Sequence, residues 1–101
     1  MNIVTFCEID ESIFNSDFKV EHFHSGISED ADIVILNIDS IFEFEENKTK
    51  ICKDKYVSIA VIEDDNDYDA FKNFGIDAWI RISEISQINN IINLVNKRLL
   101  S

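Results

Sequence analysis

The strongest constraint on the fold is an uninterrupted apolar run, Ile33-Val34-Ile35-Leu36, which lies between Asp32 and Asn37. Four branched residues in succession show no alternation, which predicts a strand buried on both faces, as at the centre of a parallel sheet covered by helices. In such sheets reactive groups lie at the carboxyl ends of the strands. Asn37 therefore occupies the position where chemistry is expected, although an amide is neither a nucleophile nor a charged metal ligand.

Four further strands are predicted, at residues 3–7, 20–24, 56–62 and 78–82. Residues 20–24 alternate in polarity, which is typical of an edge strand. The strands alternate with helical patterns, so the expected fold is an α/β doubly wound sheet of five parallel strands. Residues 11–18 and 27–31 leave little room for complete helices, so we expect the first two helices to be shortened. The alternative is that residues 20–24 are not a strand.

The second half of the chain carries clearer helical signals. Residues 41–55 suggest an irregular or partly helical crossover that is rich in charge, and residues 63–67 a loop and helix start favoured by their carboxylates. Tyr68, Phe71 and Phe74 are predicted to share one helical face that ends at Gly75. The final helix, capped by Ser83 or Ser86, should bury an amphipathic face on the sheet. That face consists of Ile85, Ile88, Ile92, Val95 and Leu99.

Composition predicts one packed domain over residues 1–101, which could be the N-terminal part of a longer regulatory protein. The apolar fraction is 46% and the chain has eight phenylalanines, which exclude a disordered tail. It has no apolar run long enough to cross a bilayer and no basic-then-apolar leader, so we expect a soluble, cytoplasmic protein with no membrane partner. The net charge of -11 counts against direct binding to nucleic acid.

Two motifs, in their order and spacing, resemble the receiver domain of response regulators. The strand entered at Asp32 matches the central strand of that family, which ends in a phosphorylatable aspartate, and Asn37 falls on the phospho-acceptor position. Residues 74–82, Phe-Gly-Ile-Asp-Ala-Trp-Ile-Arg-Ile, are similar to the family's glycine-alanine-aspartate-x-aromatic segment before its last strand. The resemblance covers most of the chain and implies a receiver or flavodoxin-like fold.

The resemblance also implies that the groups that handle phosphate are changed. Cys7 and Glu8 match the family's acidic pair, which holds a divalent cation. Ile62 falls near the position of its hydroxyl, and Ile82 falls on that of its lysine. Together with Asn37, these changes predict a pseudo-receiver that accepts no phosphate, has no catalytic activity and binds no cofactor.

Such a module would act in signal transduction, within or beside a two-component system, through a binding surface that does not depend on phosphorylation. Trp79 aligns with the aromatic residue that receivers use to report phosphorylation to the face built from their fourth helix, fifth strand and fifth helix. The resemblance therefore implies a protein partner or a homodimer at the last helix and strand. The candidate interface residues are Tyr68, Phe71, Trp79, Ile80 and Arg81. Trp79 could equally be a packing aromatic.

A different class of function stays open at the acidic residues. Asp39 lies two residues beyond Asn37 and projects to the same side if the strand continues. With Glu8 and Asp10 it could form the Mg²⁺ site of an atypical, phosphate-accepting receiver. The simpler interpretation is a set of solvated loop carboxylates.

Two further possibilities are less supported. His22 and His24 share a strand face and could bind a soft metal together with Cys7, although two half-exposed histidines are the simpler interpretation. Cys7 and Cys52 form no CxxC motif and are expected to be free thiols in a reducing compartment. The high negative charge is also compatible with an acidic inhibitor that occupies a basic protein surface.

Overall fold

The computed structural model describes residues 1–23 and 30–100, whose strands form one five-stranded, all-parallel sheet. The strands are β1 (Asn2–Thr5), β2 (Lys19–His22), β3 (Ala31–Leu36), β4 (Cys52–Ile62) and β5 (Ala78–Arg81). Their spatial order is β2-β1-β3-β4-β5, the doubly wound order of flavodoxin-like folds. The predicted fold class and the predicted edge strand at Val20 are confirmed.

Within the described residues, three α-helices cover the sheet: α1 (Ile41–Ile51), α2 (Asp65–Phe71) and α3 (Ile88–Val95). Shorter helical turns occupy Glu11–Ile13, Ile38–Ser40, Lys72–Phe74 and Ile82–Gln87, and the π-helical segment Asn96–Leu100 continues α3. The connection from β1 to β2 contains only the Glu11–Ile13 turn, which confirms the shortened first helix. Residues 24–29, which include His24 and most of the second predicted connection, lie outside the described residues. None of the helices described here has the length and apolar character needed to span a bilayer.

The core consists of two apolar layers, because successive side chains of a strand point to opposite faces of the sheet. The layer on the α3 side includes Ile3, Ile33, Ile35, Ile59, Ile88 and Ile92. The layer beneath α1 and α2 includes Val4, Val34, Leu36, Ile41, Phe44 and Phe71. The four consecutive apolar residues at the end of β3, Ile33 to Leu36, are 0% exposed, so the predicted burial of this strand on both faces is confirmed.

The crossover from β3 to β4 is more regular than predicted. Residues 41–51 are fully helical, and β4 begins at Cys52 instead of residue 56. The β3–β4 register shifts at this point, because Ala31 pairs with Cys52 whereas Ile33 pairs with Val57. The intervening residues 53–55 are exposed, so the strand leaves the core at its amino end.

The final helix begins later than predicted and loses its periodicity at its end. Ile82–Gln87 forms 3-10 turns that are interrupted at Glu84, whose φ of -115° and ψ of 18° are not helical. Three of the five residues predicted for the apolar face, Ile88, Ile92 and Val95, are buried and Ile85 is half-buried, but Leu99 is 43% exposed. Leu99 lies in the π-helical segment, where the 3.6-residue period on which the prediction depended no longer applies.

Signals visible in the sequence fix both ends of the segment that contains α2. The carboxylate of Asp64 accepts a hydrogen bond from the N–H of Asn66 at 2.9 Å, and the side chain of Asp67 accepts one from the N–H of Asp64 at 3.3 Å. This is a reciprocal capping box. Gly75 ends the following turn with φ 67° and ψ 36°, a left-handed conformation that glycine adopts most readily. The predicted helix stop is confirmed.

Asp32 joins the first strand to the start of β4. Its Oδ2 accepts a hydrogen bond from the N–H of Asn2 at 2.8 Å, and its Oδ1 lies 2.8 Å from Nζ of Lys53. Desolvation raises the pKa of Asp32, but the hydrogen bonds from Lys53 and Asn2 and the charge of Lys53 lower it by more, so the pKa lies below its ordinary value.

A lowered native pKa makes the contribution of Asp32 to stability depend on pH. The contribution is complete above the pKa of the unfolded chain and is lost as the pH falls through the lower native pKa. Asp32→Asn is therefore expected to be slightly less stable than the wild type at neutral pH, with a gap that closes in acid. The gap is small because Lys53 is largely exposed. Urea unfolding at several pH values measures it, with Asp54→Asn at a nearby exposed carboxylate as the control. An equal gap at all pH values would contradict the expectation.

Candidate functional site

An open depression of about 600 Å³ lies at the carboxyl ends of the strands, where the topology predicts a site. Its lining residues are Phe6, Cys7, Glu8, His22, Asn37, Asp39, Ser40, Glu43 and Glu63. Five residues singled out in the sequence are thus brought together: Cys7, Glu8, His22, Asn37 and Asp39. Ile62 and Ile82 are not among the lining residues. Ile62 is 4% exposed at the end of β4, and Ile82 is 44% exposed in the turn after β5.

Local hydrogen bonds hold the side chain of Asn37. Its Oδ1 accepts from the backbone N–H of Ser40 at 3.1 Å and from the Ser40 hydroxyl at 2.8 Å. The Ser40 Oγ in turn accepts from the N–H of Asn37 at 3.0 Å. These bonds form a reciprocal capping box at the Ile38–Ser40 turn, which leads directly into α1. Asn37 therefore stabilises the start of a helical segment.

The depression is acidic. Glu8, Asp39, Glu43 and Glu63 contribute four carboxylates, and the described lining includes neither lysine nor arginine. Sites that bind phosphoryl groups present cations or N–H donors to the phosphate oxygens. Four carboxylates and no such cation make this edge of the sheet repel an anion.

The alternative magnesium trio is not assembled. Glu8 and Asp39 line the depression, but the carboxylate of Asp10 accepts a hydrogen bond from the N–H of Ser12 at 2.9 Å and caps the Glu11–Ile13 turn. Hydrogen bonds from Ser12 hold the pKa of Asp10 below its ordinary value. Within residues 1–23 and 30–100, no group of three or more His, Cys, Asp and Glu side chains could hold a metal ion.

Two of the three residues of the possible soft-metal site, Cys7 and His22, lie in the described part of the chain. Cys7 and His22 line the same depression, whereas His24 lies outside the described residues. Burial raises the pKa of Cys7 to about 11, with a smaller upward effect from Glu63, and raises the pKa of Cys52 to about 12. Both are free thiols. A thiolate, the form that binds metals and attacks electrophiles, is therefore a minor species for either cysteine at neutral pH.

A second recess, of about 250 Å³, lies beside β5 and is called the β5 groove here. It is lined by Ile62, Tyr68, Trp79, Ile80, Arg81, Glu84, Gln87 and Ile91, which belong to α2, α3, the two last strands and the Ile82–Gln87 turn. Four of the five predicted interface residues are among them. Tyr68 is 46% exposed and Arg81 is also exposed, whereas Ile80 borders the groove with only 6% of its surface accessible.

The prediction that Phe71 belongs to the interface is wrong. Phe71 is 0% exposed and belongs to the core layer beneath α1 and α2, so it is not available to a partner. Residues three apart on an α-helix are separated by about 60° around its axis, so Tyr68 and Phe71 of α2 need not face the same surroundings. Phe71 faces the sheet and Tyr68 is exposed, whereas Phe74 is half-buried in the 3-10 turn that follows the helix. Ile80 is corrected in part, because it can contribute only its accessible edge.

Trp79 combines packing with an unsatisfied polar atom. Its ring stacks on that of Tyr68, with centroids 5.1 Å apart and an interplanar angle of 14°. The indole Nε1 is buried and has no hydrogen-bond partner in the part of the chain that the structure describes. A buried indole N–H normally donates to an acceptor. Trp79 is thus a packing aromatic that also forms a wall of the groove.

The one cation among the described groove residues is already paired. Nη2 of Arg81 lies 2.7 Å from Oδ1 of Asp65, and the hydrogen bond and charge of Asp65 raise the pKa of Arg81 further above its ordinary value. Residues 63–69 contain five carboxylates and no lysine or arginine, and Glu84 adds another carboxylate to the groove. The surroundings of the groove are therefore acidic.

Comparisons of this chain with protein-family models, with curated proteins and with solved structures gave no match. The depression and the β5 groove are therefore the features from which a function can be inferred.

Proposed function

We propose that this chain is a non-phosphorylatable pseudo-receiver that acts as a protein–protein interaction module in signalling and has no enzymatic activity. The observation that carries the proposal is the acidic depression at the carboxyl edge of a sheet with the order 2-1-3-4-5. Transfer of phosphate to an aspartate requires a carboxylate nucleophile, a bound divalent cation and donors for the phosphoryl oxygens. At this edge Asn37 replaces the nucleophile and caps a helical turn.

The remaining pocket positions support the same conclusion. Ile62 is buried and Ile82 lies outside the depression, so neither supplies a hydroxyl or a cation to a phosphate. Glu63, the residue after Ile62, instead adds a negative charge. A phosphoryl group placed here would meet repulsion on several sides.

The proposed module would act through a binding surface at the last strand and helix that does not depend on phosphorylation. This surface would contact a protein partner or a second copy of the chain. The β5 groove supports this part of the proposal, because it places exposed Tyr68 and half-buried Trp79 in one recess. Aromatic residues in concave surfaces are common anchors of interfaces. The net charge of -11 disfavours direct binding to nucleic acid.

A phosphodonor experiment tests the absence of receiver chemistry. The protein is incubated with Mg²⁺ and either acetyl phosphate or beryllofluoride, while intact mass and the fluorescence of Trp79 are recorded. We expect no Mg²⁺-dependent change in the wild type or in Asn37→Asp. Aspartate can accept the same capping bonds from Ser40, so this variant should fold, yet it restores only one of the groups that phosphate requires.

A saturable, Mg²⁺-dependent mass increase in the wild type would contradict the proposal. Loss of that increase in Asp39→Asn would establish the alternative, an atypical phosphate-accepting receiver that uses Asp39 with Glu8 or Asp10. Glu46→Gln is the matched control, since it removes an exposed carboxylate of α1 that does not line the depression.

A further inference from the structure

The two edge strands of the sheet differ in how well they are protected against pairing with a further strand. β2 and β5 each pair with one neighbouring strand, and an edge strand presents N–H and C=O groups that a further strand can bind. β2 carries two charged residues, Lys19 and Glu21, and Nζ of Lys19 lies 3.5 Å from Oε1 of Glu21. Charged side chains on an edge strand discourage further pairing. β5 has the sequence Ala-Trp-Ile-Arg, and three of its four residues line the β5 groove. The edge with fewer charged residues, β5, is therefore also the edge that has a recess beside it.

We propose that the β5 groove binds an extended segment of a partner protein that carries lysine or arginine, and that this segment pairs with the free edge of β5. Strand addition of this kind obtains affinity from main-chain hydrogen bonds and specificity from alternate side chains that enter pockets. The inference rests on the proposed function, since it assigns the chemistry of the partner to the same interaction surface.

Charge decides between a basic partner and a second copy of the chain. Five carboxylates lie within residues 63–69, Glu84 lines the groove, and Asp65 already neutralises Arg81. Two copies that met at β5 would bring these acidic segments together, in a chain of net charge -11, and like charges across an interface oppose association. A cationic segment would be attracted by the same carboxylates and steered toward the groove.

The walls of the groove suit the remaining groups of an extended segment. Tyr68, Trp79 and Ile91 offer apolar surface to every second side chain.

Selection from a display library of random dodecapeptides tests the assignment without knowledge of the natural partner. We expect peptides enriched on the wild-type protein to alternate basic and apolar residues. We also expect them to shift the NMR signals of the Ala78–Arg81 amides and to change the fluorescence of Trp79. Glu84→Lys should weaken their binding by about fivefold or more, because it reverses a charge at the groove.

Glu46→Lys is the matched control, since it makes the same change of net charge at an exposed position of α1 that does not line the groove. Equal weakening by both variants would reduce the effect to nonspecific attraction and overturn the proposal. Failure to enrich any peptide, enrichment without basic residues, or shifts away from β5 would also overturn it. Concentration-dependent self-association that shifts the β5 amides would assign the groove to a second copy. These outcomes are distinct from the phosphodonor result, which reports on the acidic depression alone.

Discussion

Replacing Phe44 with alanine is expected to lower the free energy of unfolding by about 3–5 kcal/mol. Phe44 is 1% exposed and lies in the layer beneath α1 and α2. Its ring contacts those of Phe6 and Tyr56, with centroids 5.8 Å and 6.2 Å away. Truncation removes this buried surface and leaves a cavity in a close-packed layer. Domains of this size have total stabilities of about 5–15 kcal/mol, so the variant is expected to be near the limit of folding.

Phe42 provides a matched control on the same helix. It is 71% exposed and makes an edge contact with Phe74, with centroids 6.2 Å apart. Phe42→Ala makes the same chemical change with the same effect on helix propensity, but we expect it to cost only about 0.5–1 kcal/mol. Urea unfolding of both variants gives the comparison. Similar losses at the two positions would contradict the placement of α1 on the sheet.

The second large effect on stability is expected at Asp77, whose side chain accepts hydrogen bonds that connect the segment before β5 with β4. Its Oδ2 accepts hydrogen bonds from the backbone N–H of Ser58 at 2.9 Å and from the Ser58 hydroxyl at 3.2 Å. Ser58 is 3% exposed, so Asp77→Ala would leave a buried donor without its partner. We expect a loss of about 1–3 kcal/mol in the free energy of unfolding.

Asp77→Asn removes the charge of the side chain but keeps its shape and an oxygen that can accept the hydrogen bonds. An amide oxygen can still accept from Ser58, although less strongly than a carboxylate, so its loss should be clearly smaller than that of alanine. The peptide shifts described for β5 should also weaken in Asp77→Ala, because the bonds from Ser58 to the Asp77 carboxylate hold the residue that directly precedes the edge strand. Equal stability of alanine, asparagine and wild type would contradict this role.

The sheet was predictable because its strands carry strong local patterns. The unbroken apolar run of β3 predicts burial on both faces, and its position between the other strands is the one observed. The extent of α1 and the early start of β4 were not predictable in this way. Residues 45–55 are dense in charge, and the ion pair of Lys53 with Asp32 is a contact between residues distant in sequence.

The candidate site was predictable in location but not in detail. Topology places Asn37 and Asp39 at one edge of the sheet, whereas the capping bonds with Ser40 depend on backbone geometry at the strand end. A sequence signal for that cap exists, since a serine follows three residues after an asparagine. The exposure of Tyr68 and the burial of Phe71 required the orientation of α2, which spacing alone leaves open.

The short connection between β1 and β2 has a consequence for how the molecule opens. A single turn, Glu11–Ile13, takes the place of a crossover helix, and none of the four residues of β2 is fully buried. Detachment of β2 would thus expose far less apolar surface than loss of β3, whose centre is closed to water. Amide hydrogen exchange should accordingly be fastest at β2 and slowest at β3 and β4, since local opening follows buried contact. The β2 edge, which contributes His22 to the depression, can fray while the strands that lead to the carboxylates of the depression and form the β5 groove remain paired.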